Sequence, residues 1–132
     1  MPVNGAVINL GATVSATGGT AKTFSTTGQK VNGGQQVVDA SNTDVKTRLS
    51  ITVKSIPAQV GSDGQWTNSK AEVVVSQPKV LANGTQKFPN VRIILTDHPE
   101  MTQTEIDNLM GLAGQVCTDS DFQNLWRAKV TA

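Results

Sequence analysis

Residues 86–107 read QKFPNVRIILTDHPEMTQTEID, and the hydrophobic period changes halfway along. Val91, Ile93 and Leu95 alternate with Asn90, Arg92, Ile94 and Thr96. A two-residue spacing of this kind puts apolar groups on one face of a strand. Beyond Pro99, Thr102 precedes Glu105 by three residues, the reciprocal pattern that caps a helix start. Ile106, Leu109, Met110, Ala113 and Val116 follow at helical spacing. A strand running into a helix late in the chain is the joint of an α+β fold.

Upstream, two further segments keep the period of two. TRLSITVKS (47–55) alternates Leu49, Ile51 and Val53 with Arg48, Ser50, Thr52 and Lys54. SKAEVVVSQ (69–77) alternates Ala71, Val73 and Val75 with Lys70, Glu72, Val74 and Ser76. Pro57, Gly61 and Gly64 break the chain between these two, and the Asn-Gly of ANGT (82–85) turns it before the last strand. Earlier, AVINLGATVSATGGTAKTFST (6–26) predicts two short strands around Gly18-Gly19, and QKVNGGQQVVDAS (29–41) a strand interrupted or bulged at Gly33-Gly34. Downstream, DSDFQNLWRAKV (119–130) predicts a second short helix with Phe122, Leu125 and Trp126 on one side. The expected architecture is one domain over 1–132: an N-terminal β-hairpin (1–28), an antiparallel meander of about five strands (29–98) and two C-terminal helices (101–130).

Burial is short for such a design. Hydrophobic residues are 37% of the chain, aromatics 4%, and tyrosine is absent, so a lone chain would have a thin core. Two helices cover half of one sheet face, and the simplest completion is an interlocked two-fold dimer. Its interface is expected to take Ile106, Leu109, Met110, Ala113, Phe122, Leu125 and Trp126. Gly111 and Gly114 each weaken the first helix by about 1 kcal/mol relative to alanine, so another backbone is expected to approach there.

Charge is split along the chain. Residues 46–95 carry seven basic and two acidic residues, and residues 96–132 two basic and six acidic ones. The basic middle points to a polyanion. Arg48, Lys54, Lys70 and Arg92 are expected on one sheet face with Ser50, Thr52, Asn90 and Phe88, opposed only by Glu72. Cations neutralise phosphates, hydroxyls and amides bond base edges, and an aromatic ring stacks on an unpaired base. A solvated sheet face accounts for the same residues. Catalytic parts are scarce: His98 is the only histidine, Cys117 the only cysteine and expected to be a buried small apolar residue, and no nucleotide-binding or zinc-ligand motif is present. The expectation is a non-enzyme with no cofactor and no metal. One cysteine precludes an internal disulfide, and no apolar run is long enough to span a bilayer.

The order of these segments over residues 45–112 resembles the coat proteins of single-stranded RNA bacteriophages, the levivirus group. KTRLSITVKSIP looks like the family's central strand, SKAEVVVSQPKV its next long strand, and FPNVRIILTDHPEMTQTEID its last strand running into the first helix. The resemblance implies interlocked dimers that assemble into an icosahedral shell, sheets inward and helices outward, built in the bacterial cytoplasm and found in the virion. It implies genomic RNA as partner, including a hairpin that represses translation of the replicase gene, with neither membrane nor small-molecule substrate. By the same resemblance Phe88 stacks on a loop base and Asn90 contacts the RNA. Arg48, Ser50, Thr52 and Lys54 lie on the strand with phosphate contacts and part of the base pocket, and Lys70, Glu72 and Val74 on the strand supplying the rest. Phe88 stands where the family usually has tyrosine, which keeps stacking and removes the hydroxyl. The long 55–70 connection carries Trp66, a candidate contact to a neighbouring subunit. Two other readings share these residues: a single-stranded nucleic-acid-binding module that never assembles, and an extracellular carbohydrate-binding or adhesive β-domain.

Overall fold

A computed structural model describes residues 5–31 and 34–130. In chain order the strands are β1 (Phe24–Val31), β2 (Gly34–Asp39), β3 (Ser50–Ile56), β4 (Ser69–Ser76), β5 (Lys79–Val80), β6 (Gln86–Lys87) and β7 (Asn90–Asp97). They are followed by α1 (Gln103–Thr118), a 3-10 turn (Ser120–Phe122) and α2 (Gln123–Ala128). The chain divides into two compact units, Gly19–Pro99 and the N-terminal residues to Gly18 together with those from Glu100 onward.

In the first unit β1-β2-β3-β4-β7 form an antiparallel five-stranded sheet in that order, and β5-β6 form a separate two-stranded hairpin. This is the expected meander. Register explains why these sequences pair. Val37, Ile51, Val75 and Val91 stand in one row; Gln35, Val53, Val73 and Ile93 form the next; Ala71 and Leu95 extend it. One face of the sheet is therefore apolar along its middle, since directly opposed residues share a face.

The turns between strands follow from glycine. Gly84 has φ +86°, and Leu81 N–H donates to the Thr85 carbonyl (2.8 Å) to close the β5-β6 hairpin. In the 55–70 connection Gly64 has φ +78°, and Val60 and Trp66 pair across a small turn with Trp66 half exposed. At the end of β2, Asp39 is buried at 3% exposure and accepts from the Ser41 hydroxyl (2.7 Å) and N–H (3.0 Å). These hydrogen bonds hold its carboxyl below the ordinary carboxylate range, with a smaller contribution from the Lys22 ammonium 3.8 Å away and against the opposing effect of burial.

Little else is buried. Among the described residues only Val38 and Asp39 are buried, while Val91, Val53 and Val75 of the apolar face are 59%, 41% and 39% exposed. Among the described residues, the core expected to be thin is reduced to the side chains of Val38 and Asp39.

In the second unit α1 begins with the expected reciprocal cap: Glu105 N–H donates to Thr102 Oγ1 (3.2 Å) and Thr102 N–H to Glu105 Oε1 (3.5 Å). The glycines of α1 are explained by the chain's own N-terminal segment. A Cβ on Gly111 would lie 2.7 Å from the Ala12 carbonyl oxygen, and one on Gly114 would lie 3.3 Å from Val14 Cγ2. Asn9 N–H donates to Gln115 Oε1 and Gln115 Nε2 to the Asn9 carbonyl, both at 2.8 Å. The close backbone expected at these glycines is thus residues 9–14.

This placement corrects the expected N-terminal hairpin at 1–28. Residues 5–23 contain no strand, and the first hairpin of the chain is β1-β2. Gly18 and Gly19 take the expected positive φ (+73° and +74°) and the chain bends there, but no pair of strands flanks them. A hydrogen-bonded turn lies earlier, at Asn9–Ala12 with Gly11 at φ +82°, where the backbone bonds helix side chains instead of a second strand. The interruption expected at Gly33-Gly34 separates β1 from β2; Asn32 and Gly33 lie outside the described residues, and Gly34 opens β2. Cys117 is exposed, not buried, on the last turn of α1. Among the described residues no helix is long and apolar enough to cross a membrane.

Candidate nucleic-acid interface

The face of the sheet opposite the apolar rows is built from the residues between them. Ser50, Ser76 and Asn90 form one row; Thr52, Val74 and Arg92 the next; Lys54, Glu72 and Ile94 the third; Ile56, Lys70 and Thr96 the fourth. Eight of the ten expected site residues thus share one face: Ser50, Thr52, Lys54, Lys70, Glu72, Val74, Asn90 and Arg92. Arg48 and Phe88 precede Ser50 and Asn90 by two positions, just outside β3 and β7. Phe88 is 61% exposed, so its ring is available for stacking.

Chemistry on this face is graded. Asn90 Nδ2 donates to the Phe88 carbonyl (3.0 Å), which ties the amide to the residue carrying the ring. Arg92 Nε lies 3.2 Å from Glu72 Oε1, so the one acid of the face is engaged with one of its cations. The β5-β6 hairpin sets Lys79 opposite Lys87. Gln86 Nε2 donates to the Lys46 carbonyl (3.3 Å), which brings the loop before β3 to this hairpin. Like charges placed opposite one another repel, and a bound polyanion relieves that repulsion.

Register also adds residues that alternation alone did not reveal. Gln36 stands opposite Thr52 and Val38 opposite Ser50, so β2 extends the same face. Lys46, Lys79 and Lys87 lie in a turn and a two-residue ladder, where no periodic pattern assigns a face.

The residues expected at a dimer interface lie in the second unit. No residue of α1 is buried. Leu109, Met110 and Ala113 are exposed, while Ile106, Phe122 and Leu125 are half-buried. Trp126 is exposed, and its indole N–H donates to the Val116 carbonyl (3.0 Å), which ties α2 to α1. Among the described residues no group of three or more His, Cys, Asp and Glu is placed to hold a metal ion.

No protein-family model matches the sequence, and no curated protein matches it. Solved structures do. The chain in the virus-like particle of bacteriophage GQ-907 is 35% identical, superposes with a TM-score of 0.93, and is covered over 99% of its length by 98% of this chain. The chain in the virus-like particle of bacteriophage AVE019 shares the fold at 12% identity, with a TM-score of 0.63, over 83% of this chain and 86% of that one.

Proposed function

Because the chain belongs to the coat-protein family of single-stranded RNA bacteriophages, we propose that it assembles through interlocked dimers into a shell that encloses RNA against its sheets. The carrying observation is the open state of the sheet. Strand β7 is an edge, eight residues long, and the valines beside and across from it are exposed in the single chain. An unpaired edge next to an uncovered apolar face is a template for a second copy. Two β7 strands related by a two-fold axis would join their sheets, and the helices of each chain would cover the apolar rows of the other. Ile106, Leu109, Met110, Ala113, Phe122, Leu125 and Trp126 are assigned to that contact.

The opposite face then becomes a continuous polar lining. Arg48, Lys54, Lys70 and Arg92 neutralise phosphates, Ser50, Thr52 and Asn90 bond the RNA, Val74 offers apolar contact, and Phe88 stacks on an unpaired base. Binding of one hairpin as a translational repressor belongs to the same reading. The location is the virion, and the role is structural rather than catalytic. The exposed apolar rows beside that edge favour assembly over a module that never assembles or a carbohydrate-binding domain.

Expression in bacteria tests this reading, with electron microscopy and extraction of nuclease-protected RNA. RNA-filled particles are expected; small soluble species at every salt concentration tried would contradict it. Asn90→Ala separates recognition from assembly, because shell filling uses phosphate contacts that carry no sequence information. Particle yield should hold, while affinity for hairpins selected from the packaged RNA should fall about tenfold, as for loss of one good base contact. Equal loss of both would remove Asn90 from the recognition site.

A further inference from the structure

We propose that Glu72 is a specificity-determining residue of the RNA face, acting by positioning Arg92 and by lowering the attraction of the sheet for RNA in general. The inference rests on the RNA reading above. Glu72 is the only acid among the face residues of β2, β3, β4 and β7. It sits on an inner strand, directly opposite Lys54 and one row from Arg92, at 28% side-chain exposure against 60% for Arg92. Its Oε1 holds Arg92 through Nε at 3.2 Å.

Two consequences follow from chemistry. A guanidinium held through Nε presents its other two-nitrogen edge, the geometry that matches a pair of acceptors on phosphate or on a guanine. A fixed carboxylate among Lys54, Lys70 and Arg92 also cancels one of three positive charges, and charge is what drives sequence-independent RNA binding. An ion pair this exposed adds little to stability, so fold maintenance does not account for an acid at this place. The sheet is thereby tuned to favour an RNA that fits Arg92 over one that is merely anionic.

The test uses the purified, unassembled protein and poly(U) as the probe, titrated across salt concentrations. It compares wild type, Glu72→Gln, Arg92→Gln and the double variant, with Glu72→Thr as a second neutral replacement suited to a strand. Removing the acid frees one cation for phosphate, so Glu72→Gln should bind poly(U) about fivefold tighter at 0.1 M salt, with a slope steeper by about 0.7. In the Arg92→Gln background the gain should fall below half. Thermal midpoints should stay level. Unchanged or weaker poly(U) binding by both neutral variants, beside normal binding by wild type, overturns the inference and leaves the RNA reading standing. Equal gains in the two backgrounds also overturn it, since Glu72 would then not act through Arg92. Absence of binding by every form overturns both.

Discussion

Val91→Asp is expected to abolish particle formation, although Val91 is 59% exposed in the single chain. The two facts separate the alternatives sharply. In a self-sufficient chain a half-exposed edge position tolerates a charge, and surface changes of this kind shift stability by about 0.5 kcal/mol or less. In the proposed dimer Val91 ends the row Val37–Ile51–Val75–Val91 beneath the partner's helices. A carboxylate there loses its water without gaining a partner, at a cost of roughly several kcal/mol per buried charge. Symmetry installs the defect twice. Electron microscopy and size-exclusion chromatography check the outcome: particles should vanish, and the protein should be small or aggregated. Normal particles from Val91→Asp would show that this face is not covered by another chain.

Gly111→Ala is expected to destabilise the protein, opposite in sign to what helix propensity predicts. An alanine at an interior helix position ordinarily gains about 1 kcal/mol over glycine. Here the new Cβ would meet the Ala12 carbonyl oxygen at 2.7 Å. That oxygen belongs to backbone, so no side-chain rotation relieves the clash. The turn at Asn9–Ala12 must lift, which disturbs the reciprocal Asn9–Gln115 hydrogen bonds. Overpacking of this kind costs about 1–3 kcal/mol, and the melting temperature should fall by roughly 5 °C or more. Gly114→Ala is the control: its Cβ would lie 3.3 Å from Val14 Cγ2, a side-chain atom able to give way. Thermal unfolding of both variants in the same assembly state distinguishes them. A higher melting temperature for Gly111→Ala would contradict the close approach.

What the sequence revealed depended on how cleanly each strand separates its two faces. In β3, β4 and β7 one phase is apolar until the strand's end (Ile51 and Val53; Ala71, Val73 and Val75; Val91, Ile93 and Leu95), with Ser55, Ser69 and Asp97 as its only polar members, so the opposite face could be read directly. Strand β2 is different. GQQVVD puts one glutamine and one valine in each phase, and only register assigned Gln36 and Val38 to the polar face. The Glu72–Arg92 pair was also hidden, because a contact between adjacent rows on two strands exists only once pairing is known. Residues 6–26 looked like strands because Thr and Val favour extended backbone. Of these only Phe24–Thr26 join a strand, and the N–H groups of Val7 and Asn9 instead found Asp121 and Gln115, more than a hundred residues away. Cys117 was misjudged from residue type alone, since its place on the last turn of α1 leaves it exposed.

The most direct test weighs the smallest folded species in solution. Native mass spectrometry at low micromolar concentration, with circular dichroism to confirm folding, should find two 13.9 kDa chains bound together as the minimum unit. A stable, fully folded single chain under those conditions would contradict the claim that this sheet is completed by its twin.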